Sequence, residues 1–139
     1  MNQTVTRAIR GNFFDLTGSV SDPDEITDRV RYVEDGVLLL NGGRIVWHGD
    51  RMAPQAQLPE GIPVEDYRGK LIVPGFIDTH IHYPQTEMVG AYGEQLLSWL
   101  KNYTFPTEAQ YECAGHAAEM SQFFLRQLLA NGTTTALVF

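Results

Sequence analysis

A chain of 139 residues with 43% hydrophobic and 19% charged residues has the size and make-up of a compact domain, which sets aside fibrous and disordered classes. A net charge of -7 with no Lys/Arg-rich run works against a nucleic-acid partner, because binding a polyanion needs a basic face for counterion release. The longest apolar stretches, such as Val37 to Leu40, fall far short of a membrane span, and the single cysteine, Cys113, has no partner for an internal disulfide.

The N-terminus, Met1 to Thr4, leads into mixed residues without an apolar leader, so the reading is a cytoplasmic protein with no membrane partner. Residues 5 to about 20 and 30 to 67 hold short runs with strand chemistry. Between them, Asp22-Pro23-Asp24-Glu25 combines an N-cap acid, proline at the first helical position and acids facing the helix dipole. That helix is expected to be short, because Val30 to Val33 returns to strand composition. Val37 to Leu40, then Asn41-Gly42-Gly43, then Arg44 to His48 predicts a β-hairpin, since the turn residues accept positive φ.

A second zone opens at Gly69. Leu71-Ile72-Val73 is apolar throughout, Pro74-Gly75 kinks the chain, and Phe76 to His82 resumes as a strand suited to a buried parallel sheet. Further on, Thr107-x-x-Gln110 fits a capping box after Pro106. Ala114, Ala117, Ser121, Phe124, Leu125 and Leu128 then recur at three and four to give one apolar helix face. Asn131-Gly132 stops that helix, and Thr133 to Phe139 reads as another buried strand, so the zone is a βαβ unit with parallel strands.

The chemistry gathers at His80-x-His82. Residues two apart share a face of a strand, so both imidazoles, with Asp78 before them, are expected to point one way. Two neutral imidazoles side by side suit Zn²⁺ or another borderline divalent metal, and the competing reading is an incidental pair on an exposed strand. Asp78 either orients a ligand imidazole or is part of the strand's structure. Trp99 is expected to pack rather than border a site, His48 and His116 to be surface or core residues, and Cys113 to be inert for want of a basic neighbour.

Val73-Pro74-Gly75-Phe76-Ile77-Asp78-Thr79-His80-Ile81-His82 resembles the signature of the amidohydrolase superfamily. The stretches His82 to Gln85, Gly93 to Leu100, Tyr103 to Glu108 and Asn131 to Ala136 narrow that resemblance to guanine deaminases. It implies an α/β fold: the start of a metal-dependent (β/α)8 barrel preceded by part of a small β-sandwich domain. The division would be residues 1-68 for the small β domain, and 69-139 for the first strand, crossover helices and second strand. It implies one zinc ion per site, with His80 and His82 as ligands, and hydrolysis of guanine to xanthine and ammonia in purine catabolism. His82, Tyr83, Pro84 and Gln85 would line the purine pocket, with the Gln85 amide making a bidentate contact to the base. The intact enzyme would be a homodimer.

A full barrel takes about 250 residues, and only roughly 70 follow Gly69, so the chain reads as an N-terminal fragment that is inactive alone. The general acid/base and remaining ligands would lie beyond Phe139. Two alternatives stand beside this reading. One is another amidohydrolase acting on a pyrimidine, triazine or ureide. The other is a non-catalytic β-rich binding module with an incidental histidine pair.

Overall fold

A computed structural model describes residues 4–139, so the reading made on Met1 to Gln3 lies outside the described residues. The chain divides into two compact units, residues 1–74 and 75–139. Among the described residues no helix is long and apolar enough to cross a membrane.

The first unit is a four-stranded sheet in the order β3-β2-β1-β4. Its strands are β1 (Arg7–Leu16), β2 (Val30–Asn41), β3 (Arg44–Asp50) and β4 (Val64–Ile72). β2 pairs antiparallel with both β1 and β3, while β4 runs parallel to β1. The hairpin forms as its sequence predicts: Asn41 pairs with Arg44, and Gly42 and Gly43 make the two-residue loop at φ 53° and 79°. Positive φ at both central positions lets the turn follow the right-handed twist of its strands. Ala8, Val37 and Leu39 form the buried core, with Val46, Trp47 and Ile62 packed against it.

The helix start is also as read. The Asp22 carboxylate accepts the Asp24 N–H at 3.0 Å, Pro23 opens a 3-10 turn, and α1 (Ile26–Arg29) ends where β2 begins. One feature of the sheet has no signature in the sequence. Asn12 of β1 faces two residues of β2, and Asp35 in this bulge takes φ 51°. Its N–H donates to Asn12 Oδ1, while its carboxylate takes Arg10 Nη2 at 2.8 Å and Arg51 Nε at 3.0 Å.

Leu71 and Ile72 depart from the sequence reading. They complete β4 by pairing with Asn12 and Phe13, and the change of unit falls between Pro74 and Gly75 rather than after residue 68. An apolar triplet fits a buried strand of either unit, and pairing with β1 decides which one takes it.

At the far end of β1, Arg31 donates to both Asp15 oxygens at 2.8 and 2.9 Å, and His48 Nε2 lies 3.0 Å from Asp15 Oδ2. The Arg31 hydrogen bond holds the Asp15 carboxyl below its ordinary range. A depressed carboxyl contributes stability above its unfolded pKa, near 3.9, and that contribution is lost as pH falls through the folded value. Asp15→Asn is therefore expected to destabilise the sheet unit by about 1–3 kcal/mol at pH 7 and to lose less stability than wild type below about pH 4. Urea midpoints followed by Trp47 fluorescence in a Trp99→Phe background measure both effects. Parallel pH curves for the two proteins would contradict the assignment.

The second unit pairs β5 (Phe76–Ile81) with β6 (Thr133–Val138) in parallel, as a βαβ unit requires. Between them come a 3-10 segment (Tyr83–Met88), α2 (Leu96–Trp99), a π turn (Leu100–Thr104), α3 (Phe105–Ala109) and α4 (Ala114–Ala130). The capping-box reading does not hold. Thr107 lies inside α3 and its Oγ1 donates to the Tyr103 carbonyl at 2.7 Å. The chain is already helical upstream, with Thr104 at φ -65°, ψ -59°, and Pro106 is tolerated near the start of α3. The residue flanking α4 is instead Cys113, in extended geometry. On α4, Phe124 is the buried anchor, whereas Leu125 is exposed.

Two register shifts shape the β5–β6 pair. Phe76↔Thr133 and Ile77↔Thr135 put an extra residue in β6, and Asp78↔Ala136 and Ile81↔Val138 put an extra residue in β5. The ladder then runs past β5, with Phe139 N–H donating to Ile81 O and Tyr83 N–H to Phe139 O. The apolar side chains of this sheet predict burial, yet Phe76, Ile77, Leu137 and Phe139 are exposed within the chain.

Candidate metal centre

β5 delivers His80, and the residue after β5's last position delivers His82. Their Nε2 atoms lie 3.1 Å apart and their ring centroids 5.1 Å apart. Two imidazole nitrogens bound to one tetrahedral zinc at about 2.0–2.1 Å would stand roughly 3.3 Å from each other. The pair therefore has the bite of two ligands on a single ion. Phe139 packs beside both rings, at 4.9 Å from His80 and, stacked, at 5.6 Å from His82. Among the described residues no group of three or more His, Cys, Asp or Glu gathers around one point. The donor set on this chain is two imidazoles, both solvent-exposed rather than buried.

Asp78 does not share the histidines' cavity. Its Oδ1 accepts the His80 backbone N–H at 3.0 Å, which makes it a local brace on the strand. Uniform alternation would have put all three side chains on one face. The extra residue between Asp78 and Ile81 offsets that alternation, as strand bulges do where they re-aim side chains.

A concavity of about 640 Å³ opens beside the pair, and His80, His82, Gln85, Trp99, Phe123 and Gln127 contribute to its wall. Of the four residues read as purine-lining, the structure brings His82 and Gln85 to this cavity. Tyr83 turns away: its hydroxyl donates to the Ala117 carbonyl, and its ring stands edge-on to Tyr111 and against Phe124. Pro84 sits in the first turn of the 3-10 segment and is not part of the wall. Trp99, read as packing, borders the cavity because α2 follows a loop long enough to carry it back toward the strand end. The Gln85 amide nitrogen donates to Glu108 Oε1 at 2.9 Å, a contact that its spacing of 23 residues hides from the sequence. One N–H of that amide is engaged there, so a two-pronged contact to a base would use the carbonyl oxygen and the second N–H.

The other singled-out residues are placed as follows. His48 belongs to the Asp15–Arg31 cluster of the first unit, tilted over Phe13. His116 lies 2.9 Å from Glu87 Oε2 and edge-on to Tyr111. Cys113 flanks the start of α4. It is exposed, and the backbone N–H groups of His116 and then Gly115 in the first turn of α4 favour the thiolate and lower its pKa. Its alkylation by iodoacetamide should therefore show a rate-versus-pH midpoint below that of a free thiol, about 8.5. A midpoint at or above the value in an unstructured peptide would contradict that placement.

The Amidohydrolase family profile matches residues 71–139. A guanine deaminase of Escherichia coli K12 is 59% identical over 133 residues, covering 96% of this chain and 30% of that protein. The solved structure of an E. coli guanine deaminase superposes with a TM-score of 0.89 at 59% identity, over 96% of this chain and 31% of the other. A guanine deaminase from C. acetobutylicum, solved with guanine in its active site, gives a TM-score of 0.76 at 27% identity, over 96% of this chain and 29% of that one. The chain thus spans about 30% of the length of these relatives.

Proposed function

The chain belongs to the amidohydrolase family through residues 71–139, and from that premise we propose that it supplies the N-terminal part of a zinc-dependent guanine deaminase. The reaction is guanine plus water giving xanthine plus ammonia. The observation that carries this reading is the convergence of the His80 and His82 Nε2 atoms at 3.1 Å on the cavity that Gln85 also lines.

In this reading His80 and His82 hold the ion through Nε2, each as a neutral imidazole with its proton on Nδ1. When bound, zinc supplies Lewis-acid chemistry that makes water a competent nucleophile near neutral pH. The residues of the chain do the positioning. Trp99 offers a broad apolar wall for a flat heterocycle, and Gln85 offers a polar group close to the metal-binding pair. The third protein ligand usual in catalytic zinc sites, and the group that moves protons, would come from outside the described residues. The exposed faces of β5 and β6 fit further strands of a barrel.

The test is made on the intact protein carrying this segment: zinc content, and xanthine and ammonia release from guanine. Stoichiometric zinc with guanine turnover supports the reading. Ammonia release from a pyrimidine or triazine, with guanine inert, would move the chain to another branch of the family. Absence of both metal and hydrolysis would leave a binding module. The same reading places the intact enzyme in the cytoplasm as a homodimer, a mass that light scattering reads directly.

A further inference from the structure

The Gln85 amide lies between two protein groups that do not treat its ends alike. Its Nε2 donates to Glu108 Oε1 at 2.9 Å and sits 3.4 Å from His82 Nδ1. An ionised carboxylate only accepts hydrogen bonds, so Glu108 tolerates the NH₂ end of the amide and rejects the carbonyl end. Turning the amide over would exchange a charge-assisted hydrogen bond for oxygen facing oxygen. The His82 contact cannot do this work. It is long, and a ring bound to metal through Nε2 carries its proton on Nδ1 and has no lone pair there to offer. Glu108, brought by α3 from 23 positions along the chain, therefore sets the direction of the amide. Among the described residues Gln85 Oε1 makes no hydrogen bond, and with the second N–H of the amide it is left for a ligand.

We infer that Glu108 is a positioning residue that locks the Gln85 amide with its carbonyl oxygen available to the cavity, where that oxygen meets a ring edge presenting an N–H donor. The identity of that ring rests on the guanine deaminase reading above. Guanine meets the requirement through its ring N1–H and its 2-amino group. A heterocycle that presents only acceptor nitrogens on that edge would face the Gln85 oxygen with a lone pair. The orientation is set by a residue that need not touch the ligand.

The experiment is a double-mutant cycle in the intact enzyme with guanine as the substrate. Glu108→Ala should raise KM about tenfold with kcat changed by less than about twofold, and zinc content should stay stoichiometric. In a Gln85→Ala background the same substitution should change KM by less than about twofold, because nothing remains to be oriented. Equal losses in the two backgrounds, or a loss confined to kcat or to zinc content, would overturn the inference. A second measurement does not depend on turnover. In the ¹⁵N-labelled 139-residue chain, a Gln85 side-chain amide proton should resonate downfield and return to the free-glutamine position in Glu108→Ala. An amide signal unchanged by that substitution overturns the inference as well. An intact enzyme that binds zinc yet leaves guanine untouched overturns only the substrate reading, and the amide resonance then decides the role of Glu108.

Discussion

His82→Ala in the intact enzyme is expected to abolish stoichiometric zinc and to lower guanine turnover by on the order of a thousandfold or more. The magnitude follows from what the ion contributes: several kcal/mol of charge stabilisation, at a factor of ten for every 1.36 kcal/mol. The local geometry leaves no substitute. The two Nε2 atoms are 3.1 Å apart because both rings rise from one stretch of backbone, and no third His, Cys, Asp or Glu gathers with them among the described residues. The Asp78 carboxylate is turned to the His80 N–H, and Gln85 carries a neutral amide, so neither takes over as a ligand. His116→Ala serves as the control. That ring is engaged with Glu87 and Tyr111, and its loss should leave zinc in place. Metal content by atomic absorption, read beside xanthine formation, decides the matter. Wild-type zinc and turnover in His82→Ala would remove the metal-centre assignment.

Gly75→Ala should be among the most damaging substitutions open to this chain, although it adds one methyl group. A Cβ at Gly75 would stand 2.0 Å from Thr134 Oγ1, 2.3 Å from its Cγ2 and 2.7 Å from its Cβ. Real Cβ atoms essentially never come within 3.0 Å of a heavy atom outside their own residue and its chain neighbours. Thr134 is β-branched and stiff at χ1, so rotation cannot clear the space, and the strands must part. Overpacking of this kind costs about 1–3 kcal/mol, occasionally more. The strain falls next to the Phe76↔Thr133 pairing, a few residues before the histidines, so zinc affinity should fall together with stability. Thr134→Gly removes all three clashing atoms. The double variant Gly75→Ala/Thr134→Gly should therefore be more stable than Gly75→Ala alone, despite the poor strand propensity of glycine. Denaturation midpoints of the three proteins provide the comparison. A Gly75→Ala protein as stable as wild type would show that the strands do not approach this closely.

What could be read in advance was local. Gly42-Gly43 between two apolar runs specifies its hairpin within a few residues, and Asp22-Pro23 specifies its helix start in the same way. The parallel pairing of β5 with β6 followed from strand, helix, strand. His80 and His82 were legible as a pair because their spacing matches the pleat. The rest depended on partners far along the chain. Leu71-Ile72 has the same composition whichever unit takes it, and β1, about sixty residues upstream, decided the matter. Thr107 looked like a cap because the helical residues before it, including a π turn, carry no strong helix signal. Tyr83 adjoins a proposed ligand in sequence but follows the turn toward α4. Glu108 stood inside a motif without a role until α3 brought it to Gln85.

The paired register shifts of β5 and β6 bear on which kinds of genetic change this segment tolerates. One strand carries a surplus residue at Thr134, the other carries one between Asp78 and Ile81, and the two offsets cancel. The sheet therefore stays in phase beyond them, where the Phe139 amide meets the Ile81 carbonyl and His82 sits between two bonded positions. Side chains on a strand alternate with period two, so adding or removing one residue in that interval would send everything after it to the opposite face. Many substitutions between Gly75 and His82 leave this arithmetic untouched, whereas a single-codon insertion or deletion does not. The stretch is thus constrained in length as well as at Gly75, His80 and His82. Sequences that share this centre should hold the count between the kink and the second histidine fixed, along with the glycine and the two histidines themselves.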